Sequence, residues 1–186
     1  MRVIAGTARS LKLETIDSMD IRPTTDRIKE TLFNMINPEL AGCTFLDLFS
    51  GSGGIAIEAL SRGADSAYLV EQNKKAVDCI NRNLKFTHLD RKAVVIVGDA
   101  VSSIDRLERN GVQFDVVFMD PPYGKLLEQR VLMRLANSSI IDSDTTIIIE
   151  SDLNTDYEYA DKLGFEVYKV KKYKTNKHTF LYRRQI

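Results

Sequence analysis

Histidine and cysteine are scarce in this chain, with two of each among 186 residues, and the cysteines lie far apart at Cys43 and Cys79. That scarcity supports neither a disulfide framework nor a zinc site, and no metal is expected. No run of 18 apolar residues occurs, so no membrane-spanning helix is expected. The opening MRVIAGTARS lacks the long apolar stretch of a secretory signal, which leaves a cytoplasmic protein as the expectation. Internal repeats and low-complexity tracts are absent as well. What is present is ordinary for one domain: 44% apolar residues, enough to build a core.

Net charge is also missing, with 26 basic residues against 26 acidic ones. The balance hides a split. Residues 162–186 carry eight basic side chains and one acid, giving +7 there and −7 on residues 1–161. A basic end of this kind suits a polyanion partner; it equally suits a solvated strand edge kept soluble by lysine.

Hydropathy patterning then divides the chain. RVIA and LKLETI favour strands around a turn at Gly6. Arg22-Pro23 blocks helix, Thr24 and Thr25 offer an N-cap, and Ile28, Leu32, Phe33 and Ile36 form a helical stripe ending near Asn37-Pro38. From residue 43 strands and helices alternate: CTFLDLF, a helix to Gly63, SAYLVE, a helix from Lys74 to about His88, AVVIVG, Val101–Arg109, FDVVFMD, Leu126–Asn137, TTIIIE and a short helix over Tyr157–Leu163. Such alternation predicts an α/β fold with a mostly parallel sheet and helices on both faces. FEVYKVKKY and HTFLYRR follow with roughly five residues between them, too few for a parallel crossover, so they are predicted to pair antiparallel at one edge.

Two segments carry chemistry. Asp47-Leu48-Phe49-Ser50-Gly51-Ser52-Gly53-Gly54 lies between the first sheet strand and its helix, where glycines let a ligand approach backbone N–H groups. Gly51, Gly53 and Ala56 fit the loose dinucleotide pattern, and Glu71 follows Gly51 by 20 residues, where an acceptor for ribose hydroxyls belongs. This fits a nicotinamide dinucleotide or an adenosyl cofactor. Asp47 favours the latter, since a carboxylate there would repel a pyrophosphate yet meet a cationic amino-acid tail. Asp99, after the third sheet strand, is placed to accept from an adenine amine.

The second segment is Asp120-Pro121-Pro122-Tyr123, directly after a buried strand. Consecutive prolines fix the backbone and remove two donors, leaving carbonyls, a carboxylate and an aromatic face. That set suits an exocyclic base amine: Asp120 and the Pro121 carbonyl accept its N–H bonds, and Tyr123 stacks on the ring. Oriented so, the nitrogen would take a methyl by direct in-line displacement with no covalent enzyme intermediate. Neither His88 nor His178 has a visible acid or metal partner, and both read as structural or surface residues.

With these segments in view the chain resembles the RsmD-type family of 16S ribosomal RNA guanine-N2 methyltransferases. The resemblance rests on Arg2-Val3-Ile4-Ala5-Gly6, Arg22-Pro23-Thr24-Thr25-Asp26-Arg27, Leu46-Asp47-Leu48-Phe49 with Gly51-Ser52-Gly53, Glu58 to Ala64, and Asp120 to Tyr123. It implies a Rossmann-like class I methyltransferase core over residues 41–186, with residues 1–40 as a hairpin-and-helix extension. S-adenosylmethionine is then the donor and S-adenosylhomocysteine the product. The implied cofactor site comprises Thr24, Thr25, Asp47, Phe49, Ser50, Gly51, Ser52, Gly53, Glu71, Gln72, Asp99, Ala100 and Asp120, and Asp120, Pro121, Pro122 and Tyr123 hold the guanine. The implied partner is 16S ribosomal RNA within the small subunit or an assembly intermediate, met by a monomer. Candidate RNA contacts are Arg9, Lys12, Arg22 and Arg27 near the N-terminal hairpin and, from charge alone, Lys171, Lys172 and Lys174. Ser10 stands where the family often has glycine, and Ser50 and Gly54 replace common alanines.

Three rivals remain at this level. DNA adenine-N6 and protein-glutamine methyltransferases share a related proline motif, usually with Asn in place of Asp120 and with extra recognition sequence. A nicotinamide oxidoreductase would leave Asp47 and Asp120 to Tyr123 without a role. A silent RNA-binding assembly factor would not need the full motif set.

Overall fold

The computed structural model describes residues 1–16 and 25–185. After α1 (Asp26–Met35) and α2 (Asn37–Leu40) the chain alternates through β1 (Thr44–Asp47), α3 (Gly54–Ser61), β2 (Ser66–Glu71), α4 (Lys74–Phe86), β3 (Ala93–Val97), α5 (Ala100–Arg109), β4 (Val116–Met119), α6 (Leu127–Leu135), β5 (Thr146–Asp152) and α7 (Glu158–Lys162). It closes with β6 (Phe165–Lys172) and β7 (Asn176–Arg183). The sheet order is β3-β2-β1-β4-β5-β7-β6. β1 to β5 pair in parallel, whereas β7 runs antiparallel to both β5 and β6. The antiparallel end pair is as expected, and β7 lies inside it, leaving β6 as the edge.

Strand alternation splits the core into two faces. Phe45, Leu69, Phe118, Ile148 and Phe180 join residues of α1, α3 and α4 on one face. Leu46, Val70, Val117, Ile149 and Leu181 join α5, α6 and α7 on the other. Several helices stop through the same device, with a positive-φ residue after the last turn. At α4 that residue is His88 (φ 58°), whose N–H donates to Lys85 O at 3.1 Å while Leu89 N–H reaches Leu84 O at 3.0 Å. His88 is exposed and closes this cap through its backbone, in keeping with a structural or surface residue.

The N-terminal segment departs from expectation. RVIA and LKLETI each favour a strand, but both segments, described in full, form one antiparallel bridge, Arg2 with Lys12. The reason is competition for backbone donors. Ile4 and Ala5 N–H groups donate to the buried Glu58 carboxylate at 2.8 and 3.1 Å. Ala8 N–H donates to Ser61 Oγ at 2.9 Å and Thr7 N–H to Ser61 O at 2.9 Å. Those groups serve α3 rather than a ladder. Glu58 also binds Arg62 at 2.8 Å and the buried Lys29 at 3.2 Å, so one carboxylate joins α1, α3 and the N-terminus. The α1 stripe does end near Asn37-Pro38, where Pro38 opens the short α2.

Candidate active site

The parallel strands bring their C-terminal ends to one edge, where open α/β sheets bind ligands. Asp47 ends β1, Glu71 ends β2, Asp99 caps α5 after β3, and Asp120 follows β4. Asp47 pairs in register with Leu69 on β2 and Phe118 on β4. Glu71 and Asp120 each come two residues later, on the same alternation and hence the same sheet face.

Asp47 is buried and accepts from Phe49 N–H at 3.3 Å, while Ser50 Oγ donates to its carbonyl at 3.0 Å. Burial, with repulsion from Glu71 added, pushes its carboxyl up to about 7. Among the described residues no basic side chain pairs with it. Glu71 braces the glycine turn: Gly51 N–H donates to its Oε2 at 2.9 Å and Asn73 N–H to its Oε1 at 2.8 Å. Gly53 (φ 81°) sits close to Leu69 and Ile80, which a Cβ there would press at 3.2 and 3.4 Å; a Cβ at Gly51 (φ 54°) would meet nothing within 4 Å. The turn therefore has a packed side and an open floor. Phe49 and Ser52 flank it half-buried, with the Ser52 carbonyl held by the buried Asn83 amide at 2.9 Å.

Asp99 accepts from Ser102 N–H at 3.1 Å and from Ser102 Oγ, and these bonds hold its carboxyl below its ordinary value. It is an N-cap, and Ala100 opens the helix behind it. Gln72 is exposed beside Glu71. At the β4 end Pro121 is buried while Pro122 and Tyr123 are exposed, so the aromatic ring faces outward. Asp120 is raised well above the usual carboxylate range by burial first, then by repulsion from Glu150 and Asp47.

Thr25 caps α1, its Oγ1 accepting from Ile28 N–H at 3.3 Å. Thr24 and Arg22 lie outside the described residues. The basic candidates separate. Arg9 and Lys12 are exposed on the N-terminal segment, but Arg9 follows Ala8, which is fastened to Ser61 at the far end of α3, a helix length of about 12 Å from the glycine turn. Arg27 is exposed on α1. Lys171, Lys172 and Lys174 are exposed at the β6–β7 tip, on the edge that holds Asp120, because Lys172 pairs with Lys177 as Asn176 pairs with Asp152. The rest of the basic end is partly spent internally: Lys177 donates to Leu153 and Thr155 carbonyls, Arg183 to those of Ser138 and Ile141, and Arg184 pairs with Asp161.

One reading is corrected. His178 is fully buried and does have an acid partner, Glu150 Oε2, at 3.0 Å. The two residues are 28 apart in sequence and meet because β7 inserts beside β5. The roles of Asn83 and Glu150 escaped the sequence reading for the same reason, as did the bonds of Glu58 to Ile4, Ala5 and Lys29: these partners come from distant segments, and no local spacing signals them.

A Rossmann-like sheet with an antiparallel last pair, acids at successive strand ends and a glycine turn after β1 defines a class I methyltransferase fold. The chain belongs to the RsmD family: the family described as Conserved hypothetical protein 95 matches residues 1–182. It is 35% identical over 153 residues to the Escherichia coli ribosomal RNA small subunit methyltransferase D, covering 82% of this chain and 75% of that one. The solved structure of yhhF from Escherichia coli, provisionally named a methyltransferase, aligns with TM-score 0.83 at 28% identity over 98% of this chain and 97% of that one. A Streptococcus mutans protein, provisionally named S-adenosylmethionine-dependent, shares the fold at TM-score 0.70 and 17% identity, over 88% of this chain and 50% of that one.

Proposed function

We propose that this chain methylates the exocyclic N2 amine of a guanine in 16S ribosomal RNA, within the small subunit or an assembly intermediate, using S-adenosylmethionine. The observation that carries the reading is the Asp120-Pro121-Pro122-Tyr123 turn at the end of β4, one strand from the glycine turn. Kinship with a small-subunit ribosomal RNA methyltransferase supports the substrate class.

The residues fit the donor. Asp47 is a buried acid lacking a cationic partner among the described residues, and an ammonium group supplies one. Glu71 keeps lone pairs for a ribose diol after bracing Gly51 and Asn73. The open side of Gly51 admits a ligand against the backbone. Ser102 occupies part of Asp99, so an adenine amine meets the lone pairs left over, beside the first N–H groups of α5. Bound there, S-adenosylmethionine supplies an electrophilic methyl group and leaves as S-adenosylhomocysteine.

The acceptor amine has its lone pair delocalised into the base. Asp120 and the Pro121 carbonyl accept its hydrogens and aim the nitrogen at the methyl carbon, and Tyr123 holds the ring by stacking, worth about 1–3 kcal/mol. As the nitrogen–carbon bond forms, the carbon–sulfur bond breaks with its electron pair on sulfur. The surplus N–H proton has the Asp120 carboxylate beside it.

The test is methyl incorporation from labelled donor into unmethylated small subunits, protein-free 16S RNA and duplex DNA, followed by nucleoside digestion. N2-methylguanosine from the particle is the expected product. Label confined to DNA as N6-methyladenine, or no label on any substrate, overturns the proposal.

A further inference from the structure

We propose that Glu150 is a positioning residue for methyl transfer: held by His178 and Asn176 next to the catalytic turn, its charge keeps Asp120 a proton-accepting base. The inference rests on the role just proposed for Asp120.

The juxtaposition comes from the sheet. Met119 at the end of β4 pairs with Ile149 on β5, so Asp120 and Glu150 come next on neighbouring strands. Glu150 in turn pairs with His178 across the antiparallel β5–β7 ladder. Asp120, Glu150 and His178 thus continue the alternation of Phe118, Ile148 and Phe180 on one face, and form a polar row where the hydrophobic core stops.

Glu150 is almost fully buried and anchored at both oxygens. Asn176 Nδ2 donates to Oε1 at 2.6 Å, and His178 Nε2 lies 3.0 Å from Oε2. Tyr173 Oη lies 3.0 Å from His178 Nδ1. The chain is satisfied when the Tyr173 hydroxyl donates to Nδ1 and Nε2–H donates to Glu150. The Phe118 ring meets the imidazole edge-on at 6.2 Å between centroids. These contacts fix a carboxylate in place, where an unheld side chain would swing toward solvent.

A fixed negative charge next to Asp120 disfavours a second one, so the acid holds its proton more strongly once it has taken it. Glu150 is the first charged group acting on Asp120, Asp47 of β1 the second. Glu71 of β2 acts on Asp47 rather than directly, and Lys171 of β6, in register with His178, is exposed to water. Tyr173 lies between Lys172 and Lys174, so the brace on Glu150 also ties the basic hairpin tip to the site. A more basic Asp120 takes up the surplus amine proton more readily.

The test uses the full chain labelled with 13C at the aspartate carboxyl carbons and titrated by NMR without donor, the Asp120 resonance being the one lost in Asp120→Asn. The Glu150→Gln variant should titrate Asp120 at lower pH than wild type. His178→Asn, which withdraws the donor from Glu150, should shift it the same way and serves if Glu150→Gln does not fold. An unmoved midpoint overturns the proposal. In methyl transfer to small subunits, the acid limb of the pH profile should move with that midpoint and the plateau should fall several-fold, with donor affinity unchanged. A uniform loss at every pH, with the limb in place, assigns Glu150 a merely structural part and also overturns it. Full activity in Asp120→Asn would instead remove the role of Asp120, while the titration still judges the influence of Glu150.

Discussion

Asp47 is out of water, and that burial, with Glu71 nearby, leaves its carboxyl titrating at about 7. A cation placed beside it favours the ionised form, so a bound ammonium lowers the titration and a proton must leave. Binding of S-adenosylhomocysteine should therefore release protons at about pH 6.5, where free Asp47 is largely protonated, and release few at about pH 8.5, where it is already ionised. Calorimetry in buffers of different ionisation enthalpy measures this; equal heats across buffers at the lower pH would take Asp47 out of the amino-acid subsite. The strand-end acids were legible in the sequence because each follows an apolar run that names its own end. Asp99 shows the limit of that logic, since position alone does not separate a ligand acceptor from the helix cap it forms with Ser102. Ser10 is another residue whose meaning emerges only in three dimensions. Its φ of 71° lies in the left-handed region that glycine tolerates best. Ser50 stands where alanine is common and adds the bond from its Oγ to the Asp47 carbonyl at 3.0 Å.

Some elements flanked by turn residues kept the bounds their patterns announced, whereas CTFLDLF and FDVVFMD shortened to Thr44–Asp47 and Val116–Met119. SAYLVE is β2 from Ser66 to Glu71, and Gly63 ends α3 as a left-handed cap. The N-terminal segment did not, because strand propensity in RVIA loses to side-chain acceptors on α3 that only the fold brings near. Gly6 is the close point of that docking. At φ 82°, a Cβ there would lie 1.7 Å from the Ser61 carbonyl oxygen, a backbone atom that cannot step aside alone. Gly6→Ala should therefore lift the segment off α3, strand the Glu58 carboxylate without its Ile4 and Ala5 donors, and cost about 3 kcal/mol or more. Gly42→Ala is the matched comparison: φ is 79° but the space is open, so only backbone strain of about 1 kcal/mol is expected. Thermal melts compare the two, and hydrogen exchange at Ile4, Ala5 and Ala8 locates the damage. Equal costs, or protection unchanged in Gly6→Ala, would refute the close-approach account.

Across the whole molecule, the parallel half of the sheet was readable from βα alternation and the last pair from its short connection. The insertion of β7 between β5 and β6 was not, because chain order does not state which of two antiparallel strands meets the parallel ones. That insertion has consequences at both ends of the site. It buries His178 against Glu150, and it turns the β6–β7 tip toward the edge holding Asp120 and Tyr123. The charge split then has a place. Lys177, Arg183 and Arg184 are engaged within the fold, leaving Lys171, Lys172 and Lys174 as the exposed cations of the tip. An RNA backbone crossing the Tyr123 edge would meet them, whereas Arg9 lies toward the opposite end of α3. Replacing Lys171, Lys172 and Lys174 together by Ala should weaken binding of 16S RNA and flatten its salt dependence, each lost phosphate contact removing about 0.7–0.9 from the slope of log K against log salt. Affinity for S-adenosylhomocysteine should stay as in wild type, since none of the three lysines belongs to the glycine turn. A slope identical to wild type would return these lysines to the ordinary task of keeping an exposed sheet edge soluble.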